Sequence, residues 1–248
     1  NESEVLREAP AYCKDGVLDM LLEDGRADPK AKDSEVLRYA SELGNSKMVK
    51  LLLEDGRADP KAKDSQSLRM ASANDNLMIV KLLLKDGRAD PRAKESEALR
   101  DVPAFCQDEM LIILLKDRRA DPCSRESEVL RMASIKGDFT KVKILLEDGR
   151  ADPKARNSEA LRDTAIYDKL LGVELLFSHI KVHRLLLEDG RADPRAGESD
   201  ALRWAARLGN FEMVKLLLED GRADPKANES ESLRMASANG KLMVVKLL

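Results

Sequence analysis

The chain has 248 residues, 43 Lys and Arg against 46 Asp and Glu, a formal net charge of −3 and only 3% aromatic residues. That balance supplies no uncompensated basic surface of the kind nucleic acid requires, and the longest apolar run, Met110–Leu115, falls far short of the roughly 20 residues of a membrane span. Cys13, Cys106 and Cys123 are an odd set that makes no disulfide framework, and the opening Asn-Glu-Ser-Glu has no signal-peptide pattern, so the expected home is the cytoplasm.

The organising fact is a repeat. Ala-Asp-Pro recurs with its proline at Pro29, Pro60, Pro91, Pro122, Pro153, Pro194 and Pro225, in steps of 31 residues except for one step of 41. Ser-x-x-Leu-Arg recurs in the same register from Ser3, Ser34, Ser65, Ser96, Ser127, Ser158, Ser199 and Ser230. Eight units in one array, 1–248, are therefore expected, the first without its leading loop and the last stopping inside its final helix.

Taken in chain order, the first unit carries Pro10, which should end its first helix early. The second, Ser34–Lys63, is the cleanest. Asp33 and Ser34 read as N-caps, and Leu37, Ala40 and Ser41 share one face of a short first helix that Gly44 ends. Lys47–Glu54 reads as a strongly apolar second helix, Gly56 as its left-handed cap, and Arg57-Ala58-Asp59-Pro60 as an extended loop. The fourth unit repeats the early proline at Pro103 and places Arg118 where the capping glycine belongs. The sixth carries ten extra residues within 163–183. They are expected to lengthen both helices, to Ser158–Leu171 and Val173–Glu188, as a projection made apolar by Leu170, Leu171, Leu175, Leu176 and Phe177, or else to form a bulged loop after Ala165. Helix pairs this short cannot bury their apolar stripes alone, so neighbours must stack.

The seventh unit, Ala201-Leu202-Arg203-Trp204-Ala205-Ala206-Arg207-Leu208-Gly209-Asn210-Phe211-Glu212-Met213-Val214-Lys215-Leu216-Leu217-Leu218-Glu219-Asp220-Gly221, resembles the ankyrin core pattern. Thr-Pro is missing, Arg stands for the usual His after Leu, and Gly-His becomes Gly44-Asn45 or Gly209-Asn210. The short unit is similar to the arrays of amoebae and large DNA viruses. The resemblance implies an all-α ankyrin-repeat solenoid of about eight helix-turn-helix units with short finger loops. It also implies a non-enzymatic scaffold that holds a protein partner in a concave groove.

In that family the end of the first helix contacts partners. Here this place varies most between units: Glu42-Leu43, Ala73-Asn74, Ile135-Lys136, Arg207-Leu208 and Ala238-Asn239. Relaxed drift at exposed positions is the competing reading. The finger tips Lys32-Asp33, Lys63-Asp64, Lys94-Glu95, Arg125-Glu126 and Arg156-Asn157 suggest a basic rim for an acidic partner, against a merely solvated loop. Arginines after Leu (Arg38, Arg69, Arg131, Arg203 and their equivalents) and in the loops (Arg57, Arg88, Arg222 and theirs) form two ladders, read as cross-unit salt bridges rather than anion sites. The irregular units read as degenerate, or else as swivels or contact patches.

No catalytic constellation, cofactor site or metal site is expected. His179 and His183 share a helical face but lack a third ligand, and Cys13 and Cys106 are three units apart, too far to pair. The alternative to a partner-binding scaffold is a self-assembling filament or coat. Val5, Leu6, Leu247 and Leu248 belong to ordinary inner-type units, so homotypic contact through uncapped ends is its expected mode.

Overall fold

A computed structural model describes residues 17–25, 28–102, 108–167 and 173–248. Among them are fifteen helices and no strand. They run α1 (Val17–Glu23), α2 (Ala31–Glu42), α3 (Ser46–Asp55), α4 (Ala62–Ala73), α5 (Leu77–Asp86), α6 (Ala93–Arg100), α7 (Asp108–Lys116), α8 (Ser124–Ile135), α9 (Phe139–Asp148), α10 (Ala155–Tyr167), α11 (Val173–Asp189), α12 (Ala196–Leu208), α13 (Phe211–Asp220), α14 (Ala227–Ala238) and α15 (Leu242–Leu247). The expected short fingers without a hairpin are what the described residues show.

The chain divides at Asp121–Pro122 into two compact units. In the first, α2, α4 and α6 pack side by side, and α1, α3, α5 and α7 pack successively beside one another. In the second, α8, α10, α12 and α14 form the layer of first helices, and α9, α11, α13 and α15 the layer of second helices. The core lies between the layers. Leu37, Ala40, Val49, Leu52, Leu68, Ala71, Val80 and Leu83 are wholly buried in the first unit, and Leu130, Val142, Leu145, Leu202, Val214 and Leu217 in the second. The two helices of a repeat pack on each other, and the neighbouring repeats complete the burial of their apolar faces, as a stacked architecture requires.

One local expectation is corrected. Asp33 and Ser34 do not cap the helix: Lys32, Asp33 and Ser34 have φ of 51°, 58° and 55°, a left-handed turn inside α2. The same triplet is left-handed in every later described repeat, at 63–65, 94–96, 125–127, 156–158, 197–199 and 228–230. Ser34 is turned inward and buried, and its Oγ accepts the backbone N–H of Asp59, in the loop that leads to the next repeat, at 2.8 Å. Ser65, Ser96, Ser127, Ser158 and Ser199 do the same for Asp90, Asp121, Asp152, Asp193 and Asp224. The serine therefore recurs because it ties each first helix to the loop that leads into the next repeat.

The arginine after Leu holds this turn. Arg69 donates from Nε to Asp64 O at 2.9 Å and from Nη2 to Lys63 O at 3.0 Å, and Nη1 reaches Glu97 of the next repeat at 2.8 Å. Arg131–Glu159 at 2.6 Å and Arg203–Glu231 repeat that bridge, and Arg38 makes it to Gln66. This ladder is cross-repeat, as expected. The loop ladder is not. Arg57, Arg88, Arg119, Arg150, Arg191 and Arg222 each pair with the aspartate two residues before them. What crosses the repeat boundary is a set of carbonyls: Arg88 Nη1 donates to Gly56 O and Ala58 O at 3.0 Å, and Nη2 to Leu53 O at 3.3 Å. Leu53 O belongs to the last turn of α3, where a carbonyl has no intrahelical partner, and Gly56 O and Ala58 O to the cap and loop after it.

Second helices follow their sequence signals. Asn45, Asp138 and Asn210 accept the backbone N–H three residues on, and Gly56 takes the left-handed cap at φ 78°. Arg118 occupies the equivalent place at φ 63°. The early-proline stretches around Pro10 and Pro103, with Cys13 and Cys106, lie outside the described residues.

The insertion differs in part. α11 begins at Val173 as expected, but α10 is described only to Tyr167, and 168–172 lie outside the described residues, as do the side chains of Leu170, Leu171, Leu175, Leu176 and Phe177. Ser178 precedes its capping Gly190 by the same 12 residues that separate Gly44 from Gly56. The extra length therefore lies before Ser178, and α11, 17 residues against 10 in α3, takes up part of it at its start as expected.

Candidate functional site

The variable residues of each first helix sit five, eight and nine places after its serine. Those offsets share one helical face, opposite the face that packs into the core. On α2 they are Tyr39, Glu42 and Leu43, all exposed, Leu43 by 50%. On α4 they are Met70 and Ala73, half-buried, with exposed Asn74. In the second unit α8 presents Met132 at 40% exposure, half-buried Ile135 and exposed Lys136. On α12 the guanidinium of Arg207 lies 5.0 Å from the centre of the Trp204 ring, with Leu208 half-buried beyond it. On α14 Ala238 and Asn239 are exposed and Met235 is half-buried.

The position five after the serine was missed in the sequence. Tyr39, Met70, Met132, Trp204 and Met235 occupy it, with Asp101 and Asp163 in the irregular repeats. Its signal was weaker, since Met recurs at three of those five places, but it lies one turn before the helix end on the same face.

Two of the expected contact residues already have partners. Asn74 Nδ2 donates to Glu42 O at 3.3 Å, and Asn239 Nδ2 to Met235 O at 2.8 Å, so both cover the carbonyl end of a first helix. Asn76, at the next helix start, adds Ser41 O at 3.0 Å. The equivalent residue in the sixth repeat is His179, whose Nε2 lies 2.9 Å from Ile135 O and whose ring would meet a Cβ on Gly137 at 3.1 Å. His183, one turn on, is wholly buried, with Nδ1 2.7 Å from Thr164 Oγ1. The Thr164 hydroxyl also lies 2.7 Å from Leu161 O. Burial lowers the His183 pKa to about 3. The two histidines are packing residues.

Lys32, Lys63 and Lys94 stand at the finger tips, at the opposite end of the first helices from Leu43 and Asn74, roughly 15 Å along the helix. They do not form a free basic rim. Lys63 Nζ lies 2.9 Å from Asp33 of the preceding tip, Lys94 lies 3.7 Å from Asp64, and Arg156 lies 2.6 Å from Glu126. The Lys63 ammonium holds the Asp33 carboxyl below its usual range. Where the acid is lost, at Asn157, the next cation is lost too, at Gly197. Farther along the stripe, burial raises the pKa of Asp163 despite Arg162 at 3.3 Å.

Among the described residues no group of three or more His, Cys, Asp or Glu side chains is placed to hold a metal ion. No helix among them is long and apolar enough to cross a membrane.

A family model for ankyrin repeats in three copies matches residues 11–95, and a second, for the single ankyrin repeat, matches 199–229. No curated protein matches the chain. Ankyrin repeats are generally protein–protein interaction modules, in a family that is typically non-enzymatic. Two independent matches in the register of the serine, the left-handed turn and the helix pair lead to one conclusion: the chain is an ankyrin-repeat protein.

Proposed function

We propose that the chain is a non-catalytic intracellular scaffold that binds a protein partner on the exposed stripe that the first helices carry within each of its two units. This is the face that the family resemblance assigns to the concave groove. One observation carries the reading. Within a frame whose serines hold the loops and whose arginines reach the neighbouring repeats, the stripe presents exposed Tyr39, Leu43, Met132 and Arg207, with half-buried Trp204 beneath the guanidinium. Large apolar and aromatic side chains with an arginine are what interface hot spots are made of.

Chemical cross-linking to a captured partner, followed by substitution, tests it. Leu43→Glu and Trp204→Ala are each expected to weaken capture roughly tenfold or more while helicity stays unchanged. Lys136→Glu and Leu208→Glu should add to the loss. Native affinity in all four variants would remove the stripe from the interface.

Homotypic assembly makes a different prediction. Of its apparent support, Met243 on the last helix belongs to a repeat position, since Met78 is 60% exposed and Met243 59%, whereas Leu242, at 64%, is more exposed than its half-buried counterpart Leu77. A mass of 27.6 kDa in dilute solution is expected, and a concentration-dependent multiple of it would favour assembly instead.

A further inference from the structure

On the second-helix side of the Pro122–Leu248 unit, α9 and α11 leave a groove of about 680 Å³. Phe139 forms one wall. Ile180, Lys181, Arg184, Leu185 and Glu188 on successive turns of α11 form the other. That volume lies within the range of built ligand sites, roughly 300–1,000 Å³.

The α11 wall is anchored. Ser178 Oγ donates to Gly137 O, His179 is fixed on Ile135 O, and Val182, His183 and Leu186 are wholly buried behind it. A wall held from behind costs an incoming chain little ordering, which favours binding.

The charges on the groove are unusual for this molecule. Among the described residues Arg184 is the one arginine with no hydrogen bond, ion pair or aromatic contact. Its counterparts in other repeats, Lys50, Lys143 and Lys215, reach the glutamate one turn on at 3.8 Å. Arg184 and Glu188 do not come within 4 Å of each other. Lys181, one turn before Arg184, is exposed and also without a partner. On the facing helix Lys141 is already paired with Asp138, at 3.3 Å, and Lys143 with Glu147. Two uncompensated cations therefore border an apolar channel in a chain of net charge −3.

We propose that this groove is a second docking site, for an acidic amphipathic helical segment of a protein partner. Its apolar side chains lie against Phe139, Ile180 and Leu185. Two carboxylates one turn apart meet Lys181 and Arg184, the spacing that residues three or four apart on a helix provide. Glu188 repels a third carboxylate at its own end and so fixes the direction of the segment. The site lies on second helices and does not rest on the first-helix stripe.

The probe is a labelled synthetic helical peptide of about four turns, with Leu and Phe on one face and Glu beside them, and a counterpart with Lys for every Glu. Fluorescence anisotropy is read with the full chain. The acidic peptide is expected to bind and the basic one not to. Lys181→Glu with Arg184→Glu should weaken the acidic peptide at least roughly tenfold and admit the basic one, a rescue that loss of fold cannot produce. Phe139→Ser should weaken the acidic peptide, and Leu43→Glu should leave it unchanged. Failure of the acidic peptide to bind, equal binding of both peptides, or indifference to the double reversal would overturn the proposal.

Discussion

Ser65 shows what a single side chain contributes here. Its hydroxyl accepts the Asp90 N–H at 2.8 Å from a buried position, so it closes a backbone donor that the loop itself cannot close. Ser65→Ala leaves that donor without its partner, a loss of about 1–2 kcal/mol. Urea denaturation should show the lower midpoint with an unchanged slope, and an unchanged midpoint would mean that the bond to the loop contributes nothing. The serine was legible as a marker but misread as a cap. A sequence gives its spacing, and only the fold gives the direction in which the hydroxyl points.

At the scale of the element, the left-handed triplet is the feature that most needs an energetic account. Three successive non-glycine residues in this region cost roughly 1–2 kcal/mol each in an isolated chain. Part of the offset is visible, since Arg38 and Arg69 each donate to two carbonyls of the turn while pairing with the next repeat. Local propensity offers no hint of the turn, because Lys-Asp-Ser reads equally well as a helix start. The opposite case is Arg118, whose left-handed place was legible from its register with Gly56 and Gly87. At φ 63° it lacks the freedom of the glycine found elsewhere, and Arg118→Gly should stabilise by about 1 kcal/mol. Thermal unfolding would show a raised midpoint, and a lowered one would show that the side chain's own contacts outweigh the strain.

For the molecule as a whole, pH bears on stability through His183. Its folded pKa of about 3 lies below the usual value near 6.5, so the unfolded chain takes up the proton first as pH falls. Stability is therefore unaffected above about pH 6.5 and declines below it by up to about 1.4 kcal/mol per pH unit, until the folded ring also protonates near 3. Asp33, Asp55 and Asp220, held low by their Lys and Arg partners, lose stability in the same direction but at lower pH. Asp163, raised by burial, acts in the opposite sense. The difference between the chain and its His183→Gln variant isolates the histidine. The variant should show a flatter dependence of stability between about pH 6 and 5, and parallel curves would rule the buried ring out as the cause.

The sequence by itself determined the repeat, its helix pair, the glycine caps, the buried Leu and Ala positions and the family. Each of these follows from periodicity and local backbone preference, which are properties of neighbours along the chain. Only the tertiary structure decided where the polar groups go. It turned Ser34 toward Asp59, directed Arg88 onto the carbonyls of the preceding repeat, and neutralised Lys63 against Asp33. It also buried His179 and His183 and left Arg184 facing an open groove. Those outcomes depend on which atoms of the adjacent repeat arrive within about 3 Å. One-dimensional spacing identifies the residues involved without giving the atoms that meet.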